Sequence, residues 1–473
     1  MTQGVQYAGE SIIEEAVLTS PNGLKTDILN DLALIEINIF EDIFRSSITG
    51  SILVGDTRNI ISKLPIMGQE KLSLKISTPS LTSKEDILDF TKNHFFVHKI
   101  SARTELSQSS QVYDLQFVSM EAIKNNHSRI SKSYVQNKSN VGEIVFDLLV
   151  QDSNGIKSNK DIFIEETTGN RGLLSPNSNP FNFITRLTKD AISKNNGSSH
   201  YLFFENKHGI HFRTLQNLYE QNVVDEFHIG DKGIEGEYGE SVQRESKKSG
   251  KLLQSYRRIN RYTLNTKNDL LLNTISGMFG GRIIEHNIFN KSFNVRTFNY
   301  FDKEQFNSND RVDDNRIYSQ NALGKMDIVL NDKITNSKIF VVPITKNSDG
   351  YDSSYGLNGT PDRKYDTLLD RQSRMSEIIE GISINMEIHG RTTLAVGDMI
   401  NVSLPTFGDD DDGKENKFYS GRYMIKRLRH IFKNTSKMHT INLEAVKDGL
   451  PEVLESMDDE ISEESPTPKP IYV

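Results

Sequence analysis

A β-hairpin pattern that occurs twice, near opposite ends of the chain, constrains the fold more than any other feature of the sequence. The two stretches are residues 94–122 and residues 421–449. In each, apolar and polar residues alternate along two segments joined by a polar turn, and a period of two is typical of half-buried strands. The chain is therefore predicted to be mainly β, with one sheet element repeated.

The similarity extends to the strand before each hairpin, where Glu70 aligns with Asp398. Coincidence stays open as an alternative because alternation is common, but the shared order of elements favours a true repeat. The aligned apolar pairs, which form the predicted core of the repeat, are Leu72 with Ile400, Leu74 with Val402, Ile76 with Leu404, Val97 with Ile425, Ile100 with Leu428, Leu115 with Ile441, and Phe117 with Leu443.

The rest of the chain alternates between helical and strand patterns. Helical spacing in residues 141–149 and 180–191, followed by a hairpin with its turn at residues 206–209, predicts a compact α+β insertion. The fold class is thus mainly β with α+β insertions and two similar β-barrels. The predicted domains are the main part of a first barrel (1–122), a peripheral α+β domain (123–220), a loop and strand returning to the barrel (221–262), a helix, hairpin and peripheral insertion (263–380), the closing part of a second barrel (381–447) and an acidic disordered tail (448–473).

Several local signals give narrower expectations. Gly50 and Gly55 are predicted to mark bends or turns, and Asn179 before Pro180 is predicted to cap a helix. Residues 252–264 are expected to form one strand, and the glycine-rich, charged residues 230–250 an exposed loop.

Composition excludes several classes of protein. The chain has 473 residues and no cysteine, which rules out disulfides and zinc ribbons. Its net charge of -8 is not that of a dedicated nucleic-acid-binding protein. No apolar run approaches the roughly 20 residues that a membrane helix needs, so membrane insertion is not expected.

No pattern in the sequence points to catalysis. His200, His208 and His211 surround one predicted hairpin, but strand geometry would direct His208 and His211 to opposite faces. The Asp-rich residues 408–416 lack the ligand spacing of a calcium-binding EF-hand loop. The glycine-rich stretches carry no phosphate-binding lysine, and hydrolase motifs are missing. The sequence therefore predicts no enzyme, no cofactor, and no catalytic, cofactor-binding or metal-binding residues.

Three longer stretches carry a resemblance to a known family. They are "FEDIFRSSITGSILVGDT", "NPFNFITRLTKDAIS" with "YLFFENKHGIHFRTL", and "RMSEIIEGISINMEIHGRTTLAVGDMINVSLP" with "GRYMIKRLRHIF". In this order they resemble the baseplate hub protein of T-even-like contractile-tailed phages, which is related to phage tail protein D and to the VgrG spike. The similarity covers most of residues 30–447 and excludes the acidic tail and the loop at residues 230–250.

The resemblance implies a homotrimer that forms a pseudo-six-fold ring from two tube barrels per chain. Such a hub adapts a six-fold tail tube to a three-fold cell-puncturing spike and forms part of the DNA channel. The implied partners are the central spike protein, the tail tube or tube-initiator protein and the baseplate wedge proteins, with genomic DNA passing without tight binding. The implied location is the virion, after assembly in the host cytoplasm.

Two alternatives from other functional classes remain at this point: a tail-tip cell-wall hydrolase and a receptor-binding tail adhesin. A channel for DNA further predicts an inner wall with Asp, Glu, Ser, Asn and Thr in excess over Lys and Arg, because a basic wall would retain phosphates.

Overall fold

Strands dominate the structure, a computed structural model, which confirms the prediction of a mainly β chain with α+β insertions. The described residues are 7–63, 66–79, 87–107, 110–134, 140–151, 154–169, 173–229, 254–266, 269–287, 291–302, 311–313, 315–318, 334–344, 363–406 and 415–452. The predicted loop at residues 230–250, the aspartates at residues 409–412 and the tail from residue 453 onward lie outside this set.

The strands fall into an N-terminal group, two inserted groups and a C-terminal group. They are β1 (Ile12–Thr19), β2 (Lys25–Asp27), β3 (Ala33–Asp42), β4 (Thr49–Asp56), β5 (Lys71–Ser77), β6 (Ile87–Asp89), β7 (Phe95–Ser107), β8 (Ser110–Ser119), β9 (Ile130–Tyr134), β10 (Ile162–Ile164), β11 (Leu173–Ser178), β12 (Tyr201–Asn206), β13 (Gly209–Thr214), β14 (Val223–His228), β15 (Ile259–Thr266), β16 (Gly280–Asn287), β17 (Ser292–Asn299), β18 (Ile339–Ile344), β19 (Ile382–His389), β20 (Met399–Ser403), β21 (Gly421–Lys433) and β22 (Met438–Lys447).

The helices are mostly short. They are Ile28–Asp31, Ile60–Lys63, Met120–His127, Val141–Phe146, Pro180–Leu187, Leu215–Tyr219, Leu270–Ser276 and Arg363–Glu380, with a π-helical turn at Asp147–Gln151 and a 3-10 turn at Ile334–Asn336. Among the described residues, none of these helices has the length and apolar character needed to cross a membrane.

One large sheet organises the chain. Its strand order is β15-β19-β22-β21-β3-β4-β8-β7-β5-β1-β2, and β14, β20 and β6 branch from this path. We call β1 to β8 the first half and β14, β15 and β19 to β22 the second half. Each half packs its own apolar cluster against the sheet, so the main core consists of two adjoining parts.

Two insertions leave this sheet from the same end. The first insertion (residues 120–222) follows β8, and the second insertion (residues 267–381) separates β15 from β19. β4 begins beside the end of β8, and β19 begins beside the end of β22. Because the start of β21 lies beside the end of β3, these points in the two halves are at the same end of the sheet. The ends of β7 and β21 therefore lie at the opposite end of the sheet.

Three local expectations need correction. Gly50 and Gly55 do not form turns; both lie inside β4, and Gly50 lies where a Cβ would collide with the ring of Phe117. The predicted strand at residues 252–264 begins only at Ile259. Asn179 occupies the N-cap position, but its side chain makes no cap hydrogen bond and instead donates to the Asn125 carbonyl at 2.8 Å.

Candidate assembly surfaces

Five strands of each half pair in the same order. The order β3-β4-β8-β7-β5 in the first half corresponds to β15-β19-β22-β21-β20 in the second. The two long hairpins also carry a bulge at matching places, between Val97 and Lys99 in β7 and between Ile425 and Arg427 in β21. Because a bulge is a specific departure from regular pairing, this agreement is stronger than shared alternation.

A second pair of bulges matches across the halves. In β3 the register shifts between Leu34 and Glu36, and in β15 it shifts between Ile259 and Arg261. Both bulges face the same strand of the unit, β4 in the first half and β19 in the second. The correspondence therefore holds across the five-strand unit and reaches strands outside the hairpins.

The structural register corrects the sequence alignment on one strand. The pairings match Leu115 to Leu443 and Phe117 to Ala445, whereas the alignment placed Leu115 against Ile441. The spacing from Ile100 to Leu115 equals that from Leu428 to Leu443, so the sequence alignment is two residues out of register on the second strand of the hairpin. A shift of two residues leaves every side chain on the same face, so alternation could not reveal it.

The residues chosen from the alternation lie in the two apolar clusters. All are buried except Ile100, which is half-buried against the first-half cluster. The buried members are Leu72, Leu74, Ile76, Val97, Leu115, Phe117, Ile400, Val402, Leu404, Ile425, Leu428, Ile441 and Leu443.

The two halves meet edge to edge where β21 pairs antiparallel with β3. Arg427 lies opposite Asp42, and its Nε is 3.0 Å from an Asp42 carboxylate oxygen. Phe432, further along β21, is completely buried in the first-half cluster. This junction joins the two five-strand units into one surface.

The face of the sheet opposite the core, called the polar face below, carries many charged and polar side chains together with the exposed Phe40 and forms an open concavity. Its central cations are paired: Arg427 also binds Glu444 at 3.1 Å, and Arg429 donates to Asn38 at 3.0 Å and lies 3.8 Å from Glu36. Side-chain hydrogen bonds continue across the first half between β7 and β8. The arrangement offers a wall on which these positive charges are neutralised by the protein itself.

A buried ionic cluster anchors the first insertion to the first half. The Lys160 ammonium contacts Glu121 at 2.7 Å and also pairs with Glu205. Glu205 accepts hydrogen bonds from the Ser119 hydroxyl at 2.5 Å and from the Ile48 N–H at 3.1 Å. Burial raises the pKa of Glu205, whereas for Glu121 the nearby ammonium outweighs burial and lowers the pKa.

The turn of the β12–β13 hairpin contacts both halves at once. The Lys207 N–H donates to Glu41 at 3.0 Å, and the second Glu41 oxygen accepts from the Val396 N–H at 3.0 Å. The Lys207 ammonium donates to the Thr393 carbonyl at 2.5 Å. Burial raises the pKa of Glu41 to about 7. The first insertion therefore braces the junction between β3 and the second half.

A cluster of buried charges, which was not predicted from the sequence, holds the second insertion. Arg374 binds Glu377 at 2.8 Å and Asp448 at 2.7 Å, and Arg311 binds Glu377 at 2.5 Å. All four residues are buried. Arg374 and Glu377 are three residues apart on one helix, but Arg311 and Asp448 are far from them along the chain, so no local spacing predicts the cluster.

The three histidines considered from the sequence do not converge. His200 is buried and hydrogen-bonds to Asp370 at 2.7 Å, His208 lies in the hairpin turn, and His211 stacks on Phe204. Burial lowers the pKa of His211 to about 3. Within the part of the chain that the structure describes, no group of three or more His, Cys, Asp or Glu residues is arranged to hold a metal ion.

Comparison with known proteins shows which solved structures have a similar fold. No protein-family model matches the chain, and no curated protein sequence matches it. The solved tail protein from Neisseria meningitidis MC58 is similar with a TM-score of 0.51 and 9% identity, over 92% of this chain and 98% of that protein. The 43 kDa tail protein of prophage MuSo2 from Shewanella oneidensis is similar with a TM-score of 0.50 and 8% identity, over 92% and 99%. The chain therefore has the fold of these two tail proteins.

Proposed function

We propose that three copies of this chain form the ring-shaped baseplate hub of a contractile phage tail. The observation that carries this proposal is the doubled five-strand unit, with its matching strand order and bulges. Because each chain contains two such units joined edge to edge, three chains arranged around one axis supply six similar units. Such a ring can contact a six-fold tail tube on one side and a three-fold spike on the other.

The proposed partners follow from this role. The ring binds a central spike protein, the tail tube or a tube-initiator protein, and the baseplate wedge proteins. The protein acts as a structural component of the virion and not as an enzyme, and it assembles in the host cytoplasm. The fold shared with two tail proteins supports the assignment to a tail.

The polar face of the sheet forms the wall of the DNA channel in this proposal. A channel must let phosphates pass, and a wall with free cations would bind them through counterion release. The paired arginines on this face support a conduit of low affinity for DNA. On this face Arg427 lies opposite Asp42 and Arg261 lies opposite Glu387, so acids and bases are paired at these positions of the wall.

The mass in solution tests the ring directly. Light scattering of the purified protein, alone and mixed with the spike protein encoded with it, should give three times the 53.7 kDa of one chain in at least the mixture. A monomer in both samples would refute the ring. A zymogram on peptidoglycan should show no clearing, and a clear band would favour the cell-wall hydrolase instead.

Filter binding with duplex DNA tests the channel. The trimer should bind no better than an acidic protein of similar size, at low and at moderate salt. Sub-micromolar affinity with a steep salt dependence would mean exposed cations on the wall, and the conduit would have to be abandoned.

A further inference from the structure

We propose that copies of this chain join through the outer edges of β7 and β15, in an antiparallel pairing that repeats the β21–β3 junction inside each chain. The inference rests on the proposed ring and specifies which strands, and which residues, close it.

The internal junction supplies the template. Within the chain, β21 pairs with β3, and Arg429 lies opposite Phe40. The matching registers make β7 the counterpart of β21 and β15 the counterpart of β3. Transfer of the template places Ser101 of one copy opposite Asn265 of the next.

Both edges are open on the required side. Among the strands that the structure describes, β15 pairs only with β19, and β7 beyond Phe96 pairs only with β8. An open edge presents unpaired backbone N–H and C=O groups that can add another strand. The edges thus offer the backbone groups that the junction uses between β21 and β3.

The burial of side chains shows where a neighbour is missing. Leu428, which lies beside β3, is only 2% exposed, whereas its counterpart Ile100 is half-buried. In the same way, Tyr262 and Leu264 on β15 are only partly buried, whereas Ile37, the counterpart of Tyr262 on β3, is fully buried. A second copy would cover the apolar surface that these positions leave exposed.

One difference between β7 and its counterpart marks the edge. An additional bulge follows Ser101, and Ala102 has a φ of 50°. Bulges and charges on an edge hinder pairing with wrong strands, and Arg103 and Glu105 supply the charges here. Ser101 precedes the bulge, so its predicted partner follows from the template without adjustment.

The lack of cysteine in the chain makes disulfide trapping a clean test. The Asn434 N–H donates to the Ile35 carbonyl across the internal junction. Alternation along the ladder then makes Arg429 and Phe40 a non-hydrogen-bonded pair, whose Cα atoms lie about 4.5 Å apart. That distance suits a disulfide. The pair S101C/N265C should have the same geometry between copies.

A cross-link at this pair can only join different copies. Six strands separate β7 from β15 within one chain, which corresponds to about 34 Å at about 4.8 Å per strand. The positive control is R429C/F40C, which should close within one chain. The register control is S101C/T263C, which keeps both side chains on the same face but shifts the pairing by two residues.

Oxidised S101C/N265C should run on a non-reducing gel as species of two and three linked chains that disappear on reduction. Each single variant should give no species of three chains, and the register control should give at least about five-fold less product than S101C/N265C. If the wild type has the mass of a trimer and R429C/F40C closes, but S101C/N265C does not link, the proposed edges are wrong and the ring survives. If the register control links equally well, the register is wrong. A wild type that stays monomeric both alone and with the spike protein, and variants that give no cross-links in either sample, would overturn both the edges and the ring.

Discussion

A pair of substitutions in the first-half core should reveal how the two halves fill the same position differently. Gly50 pairs with the buried Phe117 in the first half, whereas Ile384 pairs with Ala445 at the matching place in the second. A Cβ on Gly50 would lie 2.6 Å from Cε2 of Phe117. The halves thus place the bulky side chain on opposite strands, so Gly50→Ala and Phe117→Ala should be strongly coupled.

The expected magnitudes follow from burial. Phe117 is fully buried, with its ring centroid 4.7 Å from that of Phe95. About 200 Å² of aromatic surface at about 25 cal/mol per Å² gives an upper value of about 5 kcal/mol, so Phe117→Ala should cost about 3–5 kcal/mol. Gly50→Ala should cost about 1–3 kcal/mol by overpacking. In the Phe117→Ala background the aromatic ring is gone, and the Cβ added by Gly50→Ala meets only the Asn38 carbonyl. The two substitutions should therefore have a coupling energy of about 1–2 kcal/mol.

Urea denaturation of the four proteins of the cycle provides the measurement. The chain has no tryptophan, so far-UV circular dichroism of the β structure is the suitable signal. Gly55→Ala is a matched control on the same strand, because its Cβ would meet Ala33 at an ordinary 3.4 Å, and it should cost less than about 1 kcal/mol. Single costs that add to within about 0.5 kcal/mol in the double variant would refute the reasoning.

Three further outcomes are expected. Lys160→Met leaves two buried carboxylates without their cation and should cost about 3–5 kcal/mol, whereas Lys194→Met, at an exposed ion pair, should leave the denaturation midpoint unchanged; equal effects would contradict this. Burial lowers the pKa of His211 to about 3. Below about pH 6.5 the unfolded state therefore takes up a proton that the folded state does not, and the free energy of unfolding decreases as the pH is lowered. Between pH 7.5 and 5.0, the free energy of unfolding measured with urea should therefore decrease by about 2 kcal/mol less in His211→Phe than in the wild type. Equal decreases would disprove the lowered pKa of His211. Leu428→Ala should cost the monomer more than Ile100→Ala in the same assay, because only Leu428 is covered by a neighbouring strand.

Local periodicity predicted much of the secondary structure. The hairpins β7–β8, β12–β13, β16–β17 and β21–β22 are confirmed. The periodicity of residues 366–381 predicts an amphipathic helix, and the structure has the helix Arg363–Glu380 there. Residues 267–281 predict a helix that ends at a glycine, and the helix Leu270–Ser276 ends at Gly277, which has a φ of 83°. In each case the signal lies within a short window, so that the sequence alone contains the cause.

The features that were missed depend on partners far along the chain. Gly50 has the appearance of a turn residue, but its lack of a side chain is explained by Phe117 and the Asn38 carbonyl on the two neighbouring strands. The contact of Arg374 with Asp448 and the pairing of β21 with β3 likewise join distant segments. The parallel pairing of β14 with β20 joins strands that are not connected by a hairpin, so no local sequence signal predicts it. Alternation determines which face a residue occupies, but it does not determine the neighbouring strand.

The position of the insertions gives the chain a polarity of its own. The end of β7 at Ser107 and the end of β21 at Lys433 lie at one end of the sheet and occupy matching places in the two halves, whereas each insertion occurs once and lies at the other end. In the proposed ring, the end of the sheet with Ser107 and Lys433 therefore repeats its surface twice as often per turn as the insertion end. The sheet itself does not change between the two ends. The difference in rotational order arises because each of the two insertions occurs only once in a chain, whereas the five-strand unit occurs twice.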